Sequence, residues 1–460
     1  MLERDSLAVF LEAARRLDAG FAALPEFATA APGMERFPEV LFAAADRLRD
    51  NYPYFHPLYA GQMLKPPHPV ARLAYALALW INPNNHALDG GRASSAMEKE
   101  AVAELAAMFG WRDFLGHLCG GGTMANLEAL WIAGQVHPGK TILASAQSHY
   151  THSRICGVLQ LPFEALPCDV RGRMDGAALA ARLARGGVAA VVATLGTPGT
   201  GAVDPLPEIL ALRERHGFRL HVDAAYGGYF VLAENLGAEA QSAFARLGEA
   251  DSLVIDPHKH GLQPYGCGCV LFRDPGVGRF YRHDSPYTYF TSAELHLGEI
   301  SLECSRPGAA AVALWATQKL LPLSQGGEFA RGLQRGREAA LALYQKLLRD
   351  ARFVVPFEPQ LDILVFAPRA PSVSEASALS RSIFAAAARR QLHLALADLP
   401  VEFFADQAPT MRRDRAMLTC LRSVLMKPEH LDWIEKIAEL LSAAAEEVLA
   451  ASRGTETNQP

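Results

Sequence analysis

Residues 187–226 read GVAAVVATLGTPGTGAVDPLPEILALRERHGFRLHVDAAY, and this stretch decides the fold. Nine of its first ten residues are small or β-branched and the other is Leu195, an apolar run of strand length. A turn rich in glycine and proline follows, then LPEILALRERHG, which is helix-periodic and stopped by Gly217, then a second apolar run, RLHVD. A helix joining two such strand-like runs is the unit of a parallel sheet covered on both faces. Working outward, TILASA at 141–146, SLVIDPH at 252–258 and CGCVLFRD at 267–274 repeat the strand pattern, with the helical RMDGAALAARLARG at 173–186 between them. The sequence therefore predicts an α/β protein with a mostly parallel sheet.

On either side of this core the character changes. The first 85 residues are helical in pattern but broken by FPEV, NYPYFHPLY and KPPHPV, which suggests a segment laid over another surface. Residues 93–110, ASSAMEKEAVAELAAMFG, form a predicted helix with Ser94 or Ser95 as N-cap and Gly110 as its stop. From about Arg306 a long Ala-rich helical stretch is expected to run into a smaller α+β unit. The expected organisation is an N-terminal helical segment (1–85), a large domain (86–335), a small C-terminal domain (336–450) and an irregular polar tail (451–460).

Composition narrows the function classes. The 460 residues carry 44 Lys+Arg and 49 Asp+Glu, a net charge of −5, and half are hydrophobic. That balance describes a globular chain and argues against electrostatic binding to nucleic acid or an anionic membrane. The longest apolar runs fall short of the roughly 20 residues that a membrane span needs. Seven scattered cysteines predict no disulfide framework, and with no signal-like apolar block at the N-terminus a cytoplasmic protein is expected. Cys267 and Cys269 have no further ligands at metal-binding spacing, so no metal site is predicted there. Residues 134–141, GQVHPGKT, match a phosphate-loop pattern, but a helix precedes it and a strand follows, the reverse of what that mechanism requires.

Three segments carry the chemistry. Asp223 ends an apolar strand, Lys259 follows another beside two histidines, and CGGGTMANLEAL leads Gly122 and Thr123 into a helix. In an open α/β sheet, ligands sit beyond the carboxyl ends of the strands. A glycine turn opening a helix supplies N–H groups and the positive end of the dipole to an anion. Together an amine, an acid and an anion site suit pyridoxal 5'-phosphate.

The chain resembles the pyridoxal-phosphate-dependent amino-acid decarboxylases of the group that includes the aromatic-L-amino-acid, tyrosine and glutamate decarboxylases. The matching stretches are GGGTMANLEAL, SAQSHYTHS, ATLGTPGTGAVDPL, HVDAAYGGYF, DPHKHGLQPYGCG and SRPGAAAVALW, with DPHK beginning 33 residues beyond Asp223. The resemblance implies the aspartate-aminotransferase-like (fold type I) architecture. It further implies a homodimer with its active site at the interface and the N-terminal segment wrapped around the partner. It gives Lys259 the Schiff-base linkage to the cofactor, Asp223 the ring nitrogen, Ala225 one ring face and His149 the other. Thr194 lies near the cofactor edge, and His258 joins Gly122 and Thr123 at the phosphate. His152 is the alternative to His149. A loop tyrosine, Tyr289 ahead of Tyr287, returns the proton to Cα. His56 and Arg92 are the expected substrate contacts, and an aromatic L-amino acid is favoured over an acidic one. The rival reading is an aminotransferase of the same fold, which would clamp the α-carboxylate with Arg422.

Overall fold

The computed structural model describes residues 4–28, 31–282 and 295–456. The chain opens with helices α1 (Arg4–Ala19), α2 (Phe37–Leu48) and α3 (Pro69–Ala78). Helix α4 (Arg92–Met108) then leads into an alternation. Its elements are β1 (Leu115–Cys119), α5 (Gly122–Val136), β2 (Thr141–Ser145), α6 (Thr151–Val158), β3 (Phe163–Leu166), α7 (Gly176–Leu183) and β4 (Val188–Thr194). They continue as α8 (Leu206–His216), β5 (Arg219–Asp223), α9 (Ala238–Phe244), β6 (Ser252–Ile255) and β7 (Gly268–Phe272).

The seven strands form one sheet in the order β1-β7-β6-β5-β4-β2-β3. From β3 to β6 every pair is parallel, while β7 runs antiparallel to both β6 and β1. All seven residues of β4 are buried, as a strand covered on both faces must be. Helix α8 ends at Gly217, whose φ of 68° is the left-handed conformation that a glycine adopts without strain. Because β4, β5 and β6 point the same way, their carboxyl ends share one edge. Thr194 pairs in register with Asp223, and Asp223 with Val254. That edge carries the site.

Helices α10 (Gly308–Leu320) and α11 (Glu328–Leu348) lead to a second unit. It holds β8 (Phe353–Val354), β9 (Ile363–Pro368), α12 (Val373–Arg389), β10 (Ala395–Pro400), β11 (Met417–Val424) and α13 (His430–Glu456). These strands form an antiparallel sheet in the order β10-β11-β9-β8. Leu343, Phe366, Ile383, Leu421 and Ile437 join α11, α12 and α13 to that sheet in one apolar core. Among the described residues no helix is long and apolar enough to cross a membrane.

The structure corrects four local expectations. Neither Ser94 nor Ser95 caps α4: Gly91 precedes its first residue, and the buried Ser94 hydroxyl bonds instead to Asn85 and to the Gly91 carbonyl. The helical stretch after Arg306 is interrupted between Leu320 and Glu328, where Pro322 lacks an N–H and Gly326 turns left-handed with φ 68°. Helix α13 runs to Glu456, past the expected start of the tail at 451, and residues 457–460 lie outside the described set. Strands β1 (LGHLC) and β3 (FEAL) carry no β-branched residue, so neither shows a strand signature in the sequence.

Candidate active site

At the carboxyl edge of the large sheet lies a cavity of about 680 Å³. Lys259, Asp223, Ala225, His149, Thr194, His258, Gly122 and Thr123 all line it. Gln62 and Arg422, 360 positions apart in the sequence, also line it.

One end is built around Asp223, at the last position of β5. Its Oδ1 accepts the Ala225 N–H at 3.1 Å. Its Oδ2 lies 3.1 Å from His152 Nε2 and accepts from the Asn126 amide at 3.3 Å. Burial alone would raise this carboxyl, but the His152 hydrogen bond, the nearby positive charge of Lys259 and the Ala225 N–H together hold it well below the usual carboxylate range. Asn126 is itself held: its amide also donates to the Gly122 carbonyl at 2.8 Å, and its oxygen lies 2.8 Å from His221 Nε2. Burial pushes the His221 imidazole down to about 3, so it is neutral, donating from Nε2 and accepting the Ser252 hydroxyl at Nδ1, 2.9 Å away.

The other end is built on the turn into α5. A Cβ at Gly121, whose φ is 144°, would stand 3.0 Å from the His258 ring, and one at Gly122 would stand 2.7 Å from Asp256 Oδ2. The absent side chains thus let His258 and Asp256 approach the start of a helix, where N–H groups have no intrahelical acceptor. Lys259 Nζ is 2.9 Å from Asp256 Oδ2, while the buried Asp256 Oδ1 has no hydrogen-bond partner among the described residues. His258 Nδ1 accepts the Cys267 N–H at 3.3 Å, and burial lowers the affinity of the ring for a second proton.

Between these ends, His149 and Ala225 stand on the walls. His149 Nδ1 accepts the Thr151 N–H at 3.3 Å and lies 2.7 Å from its hydroxyl, leaving Nε2 to carry the ring proton. Burial is the main cause of its lowered proton affinity. The Thr194 hydroxyl, buried in the cavity wall, has no partner among the described residues.

Not every expected residue arrives here. His56 does not line the cavity, and its ring packs edge-on to Trp433 with centroids 4.9 Å apart. Arg92 lies exposed at the first position of α4 and does not line the cavity. Tyr287 and Tyr289 fall in 283–294, outside the described residues. His152 does not share the cavity with His149: it is fully buried behind Asp223. Sequence reasoning missed Asn126, Asp256, Gln62, Met63 and Tyr226, which also line the cavity. Asn126 was within reach of it, lying one helical turn beyond Gly122 and so on the same face of α5.

Comparisons with known proteins point to one family. Residues 133–369 match the pyridoxal-dependent decarboxylase conserved domain. The chain is 31% identical over 418 residues to an L-tyrosine decarboxylase of Enterococcus faecium, covering 69% of this chain and 68% of that protein. It is 28% identical over 389 residues to an L-tyrosine decarboxylase of Levilactobacillus brevis, covering 63% and 62%. The crystal structure of Oryza sativa TDC with PLP and tryptamine superimposes with a TM-score of 0.76 and 18% identity, over 97% of this chain and 99% of that one.

Proposed function

Because the chain belongs to the pyridoxal-dependent decarboxylase family, whose fold type I architecture it has, we propose that it converts an aromatic L-amino acid to the amine and carbon dioxide in the cavity between Asp223 and Lys259. The observation that carries this reading is the convergence on one cavity of an amine, a carboxylate held ionised and a glycine-cradled helix start. Those features fit pyridoxal 5'-phosphate, the cofactor of the family. Lys259 would hold it covalently, Gly122, Thr123 and His258 would take its phosphate, Asp223 its ring nitrogen, and His149 and Ala225 its two faces, with Thr194 at the edge. When bound, this cofactor supplies an aldehyde for condensation with an amine and a ring that accepts the electron pair released at Cα.

The residues then divide the work. Asp223 stays an anion because its hydrogen-bond neighbours among the described residues can all donate to it, so it would favour a proton on the ring nitrogen of the bound cofactor. Asp256 accepts a hydrogen bond from Lys259, and so can hold that amine whenever it is free. His149, neutral and carrying its proton on Nε2, gives the wall a donor without a charge. Tyr289, or Tyr287 beside it, would return a proton to Cα.

For the partner, we read a homodimer with the site at its interface. Support comes from α2, which buries none of its residues and leaves Phe37, Val40, Leu41 and Phe42 exposed. His56 and Arg92 would then reach the substrate only across that interface. Seven unbridged cysteines fit a cytoplasmic setting.

A second substrate reading rests on Arg422. It lines the cavity, is almost fully buried, and its Nε has no partner among the described residues, which would suit a substrate carboxylate. The test is to incubate the purified holoenzyme with L-tyrosine, L-tryptophan, L-phenylalanine, L-aspartate and L-glutamate and to measure amine by mass spectrometry. Amine from an aromatic acid is expected. Amine from the acidic pair alone would transfer the assignment to the second reading, and a keto acid product would replace both with an aminotransferase.

A further inference from the structure

We propose that His152 is a positioning residue for this reaction, its Nε2–H fixing the Asp223 carboxylate as an acceptor-only group directed at the ring nitrogen of the cofactor. The proposal rests on the reading given under the proposed function. His149 and His152 stand three residues apart in SHYTHS, yet the fold gives them different work. His149 lines the cavity, whereas His152 is fully buried and has its Nε2 3.1 Å from Asp223 Oδ2.

Among the described residues, each group within hydrogen-bond distance of the Asp223 side chain can donate to it. His152 and Asn126 address Oδ2 and the Ala225 N–H addresses Oδ1. The orientation of Asn126 is not free to reverse, because its oxygen receives the His221 Nε2–H and its amide nitrogen also serves the Gly122 carbonyl. A proton on Asp223 would therefore meet donors on its protein side, and the acceptor capacity that remains belongs to the cavity.

The second observation is the other ring nitrogen. His152 Nδ1 is buried without a hydrogen-bond partner among the described residues. Among the described residues, the further hydrogen-bond contact of the ring is to the Asn126 oxygen, 3.4 Å from the same Nε2. A buried imidazole that leaves one nitrogen unpaired is costlier than an aliphatic side chain, so its polarity is explained by what Nε2 meets, Asp223 at the shorter distance and the Asn126 oxygen at the longer. The charged and titratable groups around this pair are Lys259, His149, Asp256 and His221.

The experiment compares wild type with His152→Leu, which keeps the bulk and removes the donor, and His152→Gln, whose amide can reach the position of Nε2. Each protein is reconstituted with pyridoxal 5'-phosphate and, separately, with the analogue that carries carbon in place of the ring nitrogen. The readouts are the pH midpoint of the visible absorption band, the rate of cofactor loss on dilution, and kcat against KM. His152→Leu should move the midpoint by about one pH unit and lower kcat about 10- to 100-fold, with KM within about threefold. His152→Gln should stay near wild type. With the carbon analogue, wild type and His152→Leu should lose cofactor at the same rate, because the coupled partner is gone. A wild-type midpoint in His152→Leu, equal damage in both variants, or a difference that persists with the analogue would overturn the proposal. If His152→Leu does not fold, His152→Asn takes its place, its shorter amide falling out of reach of Asp223. A wild-type protein that takes up no cofactor would instead overturn the function on which this rests.

Discussion

Asp223, which lines the cavity, and Asp362, which is bonded to Tyr226 of the cavity wall, are both buried aspartates, and they behave in opposite ways. Asp362 sits at the seam where β9 meets the large domain. Its Oδ1 accepts the Tyr226 hydroxyl at 2.6 Å, and its Oδ2 has no hydrogen bond although His260 Nε2 is 3.3 Å away. Burial pushes it up to about 6, against the Tyr226 bond and the charge of Lys65. Burial pushes Asp223 the same way, but the donors of His152 and Ala225 and the charge of Lys259 reverse the direction. Desolvation therefore does not decide which aspartate is a permanent anion; the number of donors aimed at each carboxylate does. Asp223 can oppose a ring cation, and Asp362 can serve as a polar contact across the seam.

The largest expected effect touches neither aspartate. Lys259→Ala should lower amine formation by about 10⁴-fold or more, measured by mass spectrometry, with the fold unchanged. A loss below a hundredfold would detach the Asp223 end from the amine with which it is supposed to work. Next, Asp223→Asn should reduce kcat by about 10³-fold, whereas Asp362→Asn should stay within about threefold of wild type. Equal losses in steady-state assays would erase the contrast between the two carboxylates.

The pH dependence of stability separates them in sign. Asp362 has a folded value raised above its unfolded one, so the folded state binds its proton more tightly, and stability falls as pH rises from about 4 to about 6. The loss should reach about 2 kcal/mol and be absent in Asp362→Asn, as followed by urea unfolding across that range. For Asp223 the folded value is depressed, so its contribution is present above about pH 4 and is lost progressively as pH falls below that, until acid has titrated the folded carboxylate too. The smallest effect lies at the opposite end of the cavity. Gly122→Ala places a Cβ 2.7 Å from Asp256 Oδ2 and should speed cofactor loss by about tenfold, with little change in stability. Unchanged retention would mean that the glycine turn does not cradle the anion.

Much of the fold was legible. The strands β2, β4, β5, β6 and β7 stand where strand-like runs rich in apolar residues occur, because a strand covered on both faces favours apolar side chains on each. Strands β1 and β3 were not legible, since five- and four-residue segments without β-branched side chains are strands only by virtue of the neighbours that pair with them. Of the site, the ends of strands and the glycine turn could be read because they recur at fixed places in such a sheet. Asp256 and Tyr226 could not, because each has an ordinary structural use and becomes part of the site only by what it faces. Gln62, Met63 and Arg422 come from far along the chain.

The sequence by itself determined the alternation of apolar strands and amphipathic helices, and with it the parallel sheet and the edge on which Thr194, Asp223 and Lys259 would meet. Local patterning suffices for this, since the period of the side chains and the position of the glycines act within a few residues. Only the tertiary structure decided that His149 faces a cavity while His152 stands behind Asp223, and that one buried aspartate is driven down while another rises to about 6. Those outcomes depend on which donors arrive from distant segments, and the strength of a charge in a low-dielectric interior is set by its partners in space.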